Sequence, residues 1–130
     1  MTAPAPDARA DRTHVAEFFV GHPLGTAVFD RVWPVVAAWS DTTVRVSRSQ
    51  VALRRRRGFC WLWLPGTYLA HPGAEVVLSV ALGRLDGSPR WKEVAHPAAA
   101  HWVHHLEVTE LADVDEEVEG WLREAAERAG

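Results

Sequence analysis

The chain has one cysteine, no internal repeat, no glycine-rich phosphate loop and no apolar run of membrane-spanning length, and each shortage removes a class of protein. A lone Cys60 cannot form an internal disulfide, the usual staple of small secreted domains, so a reducing, cytoplasmic setting is expected. The opening MTAPAPDARADR has two prolines and no apolar stretch of signal-peptide length. Residues 1–12 therefore read as a disordered lead-in and residues 13–130 as a single domain with no membrane partner. Neither a GxGxxG turn nor a Walker-type loop is present to cradle a dinucleotide or triphosphate. No serine sits in a GxSxG-type turn, and Cys60 lies in an apolar run, where a thiol stays protonated and inert. No catalytic residue and no cofactor is assigned on this basis. An enzyme assembled from scattered residues stays open as an alternative.

What is present is an ordinary globular balance over 130 residues, 48% hydrophobic and 24% charged, with seven tryptophans as the outlier. The net charge of −3 is divided unevenly along the chain. Residues 42–74 hold six arginines and no acid, whereas residues 107–130 hold nine acids and two arginines. In a compact fold the acidic end offsets part of the basic segment's field, so no general affinity for duplex DNA is expected.

Hydrophobic spacing predicts helices over residues 13–21 and 23–39. In the second, Leu24, Val28, Val32, Val35, Val36 and Trp39 recur at three- and four-residue steps, and Pro23 suits a first helical position. Pro34 removes a donor and its ring meets the carbonyl four residues back, so a kink or break is expected between Asp30 and Trp33. A last helix is expected to be capped at Asp113, with Glu116 three residues on. It buries Val118, Trp121, Leu122 and Ala125 and ends near Ala129. Between the helices the period shortens toward two. Residues 43–47, 50–55, 59–64, 75–82 and 102–109 read as five strands, rich in β-branched and aromatic residues. Residues 83–100 show no strong period and read as a long loop anchored by Trp91. Short links favour antiparallel pairing. The expected fold is α+β, an antiparallel sheet of about five strands with N-terminal helices and a C-terminal helix packed on one face.

Two registers are open for the second and third strands. An even link pairs Leu53 with Cys60 and Val51 with Leu62, and gathers Gln50, Ala52, Arg54, Phe59, Trp61 and Trp63 on the other face. An odd link, with a bulge at Gly58, puts the tryptophans with Val51 and Leu53 instead.

The most suggestive constellation is Arg54, Arg55, Arg56 and Arg57 beside Phe59, Trp61 and Trp63. Guanidinium groups grip phosphate in a fork, and indole rings stack on bases or attract cations. The candidate ligand-binding residues are Arg54, Arg55, Arg56, Trp61 and Trp63. The plainer reading is a hairpin tip whose arginines are solvated or paired with the acidic last helix, above a small Trp-filled core. His101, His104 and His105, with His96 nearby, suggest a metal set, but strand geometry opposes it and no metal is assigned. His104 and His105 point to opposite faces, and His101 and His105 lie about 13 Å apart along a strand. One of His104 and His105 is expected to be buried and hydrogen-bonded while the other faces solvent.

The segments QVALRRRRGFCWLWLP, SPRWKEVAHP and HHLEV, the last followed by DEEVEGWLREA, resemble members of a bacterial family of unknown function, DUF5655, over about residues 18–126. In that family an N-terminal helix leads into two strands, a basic turn and an aromatic strand, and a helix closes the chain. Many members carry a Gly-rich segment before the last strand, where this chain has AHPAAAHW. The resemblance implies the fold and its boundaries and supplies no catalytic residue. The leading expectation is a non-catalytic ligand-binding or regulatory domain using an Arg and Trp surface of the sheet. An anionic small molecule, a nucleic acid and a protein partner are all open as what it binds. The alternatives are a small enzyme with a pocket under the 83–100 loop and a module that meets other proteins through exposed Trp rings.

Overall fold

The computed structural model describes residues 8–130, so for residues 1–7 the expected lead-in lies outside the described residues. The first helix, α1 (Ala8–Phe18), begins before the predicted Thr13, and the link beyond it passes through Gly21 at φ 80°, a left-handed conformation open to glycine. The second, α2 (Pro23–Val36), starts at its proline and buries Val28, Phe29, Val32 and Val36. It is not broken between Asp30 and Trp33. Pro34 falls in the last turn, so only the bond to the carbonyl of exposed Asp30 is lost, and the helix ends at Val36, short of Trp39. Thr42 Oγ1 donates to the Val36 carbonyl at 2.8 Å and closes that end.

Six strands follow, one more than the periodicity shows: β1 (Thr43–Val46), β2 (Val51–Arg54), β3 (Gly58–Trp63), β4 (Val76–Leu82), β5 (Glu93–Ala98) and β6 (His101–Val108). They form one sheet in the order β1-β2-β3-β4-β6-β5, and every neighbouring pair is antiparallel. The extra strand, β5, lies in the stretch expected to be loop. It is an edge strand in which only Val94 is partly buried, so it has no apolar alternation to read. The rest of that stretch is a loop, and Trp91, 8% exposed, anchors it in the core.

The three α-helices among the described residues pack on one face. The third, α3 (Glu116–Arg128), lies on β3 and β4 and against α2, while α1 packs on β1. Its cap is Asp115, which accepts from the Val118 N–H at 3.1 Å, and not the expected Asp113. Asp113 instead closes the preceding Leu111–Asp113 turn, accepting the N–H groups of Thr109 and Glu110. Val118, Leu122 and Ala125 then meet Leu53, Cys60, Leu62, Leu78, Val80 and Leu106 in a single core. No helix among the described residues is long and apolar enough to cross a membrane.

The observed register combines both expectations. Leu53 pairs with Cys60 and Val51 with Leu62, yet the ladder also slips between Leu53 and Arg54, where Arg54 faces Gly58. That bulge corrects the place of Phe59. Expected beside the tryptophans, it is 1% exposed within the core, because a bulge lets two successive side chains turn the same way. Gly58 has a steric role as well. A Cβ there would stand 2.9 Å from the Trp61 ring and 3.3 Å from the Arg54 guanidinium, so only glycine lets both close over the turn.

Candidate ligand-binding site

Alternation along the strands builds the sheet face opposite the helices. Arg45, Ala52, Trp61, Ser79, His105 and Glu93 are successive cross-strand partners and so share that face. Trp63, Val77 and Glu107 form the next row. Large rings on β3 and β6 flank small side chains on β4, which leaves a trough of about 510 Å³ along β4. Ser79 is its floor. Trp61 and Trp63 make one wall and His101, Val103 and His105 the other, with Tyr68 and the β1–β2 turn residues Ser49 and Gln50 at the rim. The Tyr68 ring meets Trp63 edge-on at 6.3 Å.

A polar relay crosses the trough floor. Trp63 Nε1 donates to Ser79 Oγ at 2.9 Å, and Ser79 Oγ lies 2.6 Å from His105 Nδ1. Burial holds the His105 pKa below its ordinary value, against the opposing pull of Glu93, so the ring is neutral at pH 7. His101 is also held down, first by burial and then by the charges of Arg128 and Arg57.

The five predicted residues do not come together. Trp61 and Trp63 line the trough, and Arg54 stands at its edge beside Trp61. Arg55 turns the other way. It donates to Asp41 Oδ1 at 2.8 Å and to the Ala126 carbonyl at 2.7 Å, with its guanidinium 5.7 Å from the Trp39 ring. It therefore ties the turn to the end of α3. Arg56 is exposed, and its backbone N–H, like that of Arg57, donates to the Ala129 carbonyl just past the same helix. The plainer expectation is of arginines solvated or paired with the acidic helix: Arg56 and Arg57 are exposed, and the pairing with that helix runs through its backbone carbonyls. The carboxylates of the helix serve other partners. Glu124 binds Arg84 at 2.9 Å, while Asp115 and Glu117 bind Arg90 at 3.0 and 2.8 Å. Among the described residues no carboxylate pairs with Arg45, Arg54, Arg56 or Arg57.

Sequence reasoning gave no role to Ser79, Tyr68 or Arg45, named Arg57 in the basic run but not among the binding residues, and weighed His105 as a metal ligand or as one of a pair with one member buried and one facing solvent. One signal was available: Ser79 is the single polar residue in VVLSVAL, a strand buried along its whole length. His104 is the fully buried member of its pair, whereas His105, expected to face solvent, is half-buried and hydrogen-bonded as well. His104 Nε2 accepts from the Asp86 N–H at 3.0 Å, and the His104 ring lies 4.9 Å from Trp91. Among the described residues no three potential metal ligands gather around one point. Complete burial pushes the Cys60 thiol far up. Beneath the loop before β5 the Trp91 ring packs 4.2 Å from that of Trp121.

No curated protein and no solved structure matches the chain. A family model described as a domain of unknown function, DUF5655, matches residues 24–128, a span that runs from α2 to the end of α3 and takes in every strand and both walls of the trough. The chain belongs to the DUF5655 family.

Proposed function

We propose that this domain binds a small, planar, anionic ligand in the trough, its ring against Trp61 and Trp63 and its charge toward Arg54 and Arg57, without transforming it. One observation carries the reading: Trp61 and Trp63 line a trough on the face that the helices leave open, with Arg45 in the Trp61 row and Arg54 beside Trp61, neither paired with a carboxylate among the described residues, while Arg84 and Arg90 take up acids of α3. Stacking contributes roughly 1 to 3 kcal/mol per ring and a charged hydrogen bond roughly 1.5 to 3, which supports dissociation constants from about millimolar to micromolar. Glu93 and Glu107 stand on the same face beyond Ser79, so a phosphodiester strand crossing the sheet would meet them, whereas a compact ligand stops short. The Ser79 and His105 pair is suited to recognition more than to attack. The Trp63 N–H already engages the serine oxygen, and the amides of β4 are used in pairing with β3 and β6, which leaves none to hold an oxyanion. The cytoplasmic setting and a folded unit over residues 13–130 belong to the same proposal, supported by the buried, unpaired Cys60.

The test is titration of Trp fluorescence with naphthalene-2-carboxylate at low salt, with the uncharged carboxamide as control. The carboxylate alone should quench. Trp61→Ala should weaken it about tenfold, corresponding to about 1.4 kcal/mol, and joint replacement of Arg54 and Arg57 by Gln should weaken it and flatten its salt dependence. Equal response to both compounds would overturn the reading. Tighter, more salt-sensitive binding of a short single-stranded oligonucleotide would transfer the site to nucleic acid.

A further inference from the structure

We infer that the Trp63–Ser79–His105 relay makes His105 the residue that selects the ligand, holding its ring as the Nε2–H tautomer so that the trough takes heteroaromatic acids with a hydrogen-bond acceptor opposite the anionic end. The inference rests on the trough being a ligand site, and deepens it. It follows from proton accounting. An indole nitrogen is a donor only, so Trp63 Nε1 gives its proton to Ser79 Oγ. Ser79 has one proton of its own, and His105 Nδ1, at 2.6 Å, is the sole further partner of its hydroxyl among the described residues. If His105 carried its proton on Nδ1 the serine hydrogen would have no acceptor in a site 2% exposed, a loss comparable to a broken hydrogen bond. Nδ1 therefore accepts and the proton sits on Nε2, which has no protein partner among the described residues.

The ring is also held in place. It meets Trp63 edge-on, with centroids 6.0 Å apart and planes at 88°, so the same indole that orders Ser79 also packs the imidazole. The trough thus presents a fixed neutral donor on its β6 wall, with Arg54 beside Trp61 at its β2 and β3 edge. A planar acid stacked on Trp61 answers both when its ring carries an acceptor, such as a pyridine-type nitrogen, facing β6. A ring with only C–H groups there leaves the Nε2 donor unmet once water is displaced.

Two measurements test this, and the first needs no ligand. Nitrogen-15 NMR of the free protein at pH 7.5 should show His105 Nε2 protonated and Nδ1 bare. Ser79→Ala should relax this to a tautomer mixture and Ser79→Thr should preserve it, a response that a purely packing role for Ser79 does not produce. A dominant Nδ1–H form in the unaltered protein overturns the inference. The second compares quinoline-6-carboxylate with naphthalene-2-carboxylate, equal in shape and charge and different in one ring nitrogen. Quinoline-6-carboxylate should bind roughly threefold to tenfold tighter, as for one net hydrogen bond. His105→Phe, which keeps a ring against Trp63, should erase that preference, so that the two probes bind this variant equally. Equal binding of the two probes by the unaltered protein overturns the selection role even if the tautomer is as expected. Failure of both probes to bind overturns it together with the ligand reading, and the tautomer result separates these cases.

Discussion

Replacing Trp121 by alanine removes the largest side chain that α3 sends into the core. The indole is 7% exposed, packs 4.2 Å from the Trp91 ring and carries the Arg90 guanidinium 5.7 Å from its centroid. Burying about 200 Å² of aromatic surface at about 25 cal/mol per Å² gives roughly 5 kcal/mol as an upper figure. Partial collapse around the alanine reduces it, and large aromatic truncations in cores cost about 3 to 5 kcal/mol. A loss of about 4 kcal/mol is expected. At roughly 3 to 5 °C per kcal/mol for a domain of this size, the melting temperature should fall by about 12 to 20 °C. Urea unfolding followed by far-UV circular dichroism measures the change without relying on tryptophan emission. A double-mutant cycle with Trp91→Ala should return a coupling of about 0.5 to 1.5 kcal/mol, since the two rings are packed together. A loss under about 1 kcal/mol with an unchanged denaturant slope would refute the view that this contact fastens both α3 and the loop before β5.

Two further outcomes are expected. Ala100, at φ 56° in the turn between β5 and β6, sits where a Cβ is strained, so Ala100→Gly should raise stability by roughly 0.5 to 1 kcal/mol in urea melts, and a loss would show that chain entropy outweighs the strain. His101 and His105 have folded pKa values below the ordinary 6.5, so the unfolded chain binds protons first. Their contribution is complete above about pH 6.5 and lost as the pH falls toward the folded values, whereas Asp41, Asp86, Asp113 and Asp115, held below 3.8, affect stability only in more acid solution. Unfolding measured from pH 7.5 to 5.5 should therefore show a decline that is shallower in His105→Phe, and parallel curves would contradict it.

What could be read along the chain was whatever depends on neighbours close in sequence. The apolar stripe of α3, the proline opening α2, the continuous apolar run of β4 and the alternation of β6 follow from local pattern, because a helix or strand must turn apolar side chains to the core whatever lies opposite. The same logic failed where burial was slight, as in β5, and where one inserted residue reset the alternation, as at Arg54 and Gly58. The candidate site was half legible. Trp61 and Trp63 were picked out by composition, but their facing the uncovered side depended on a register that local spacing left open. The arginine run looked like one patch. Only the packing of the turn against the end of α3 divides it, sending Arg55 inward to Asp41 and Ala126 and leaving Arg54 beside Trp61. Ser79 and His105 are far apart along the chain and meet solely because β4 and β6 are neighbours in the sheet. A cross-strand relay has no signature in sequence, because strand order and register are settled by the burial of the whole sheet against the helices and not by any segment alone.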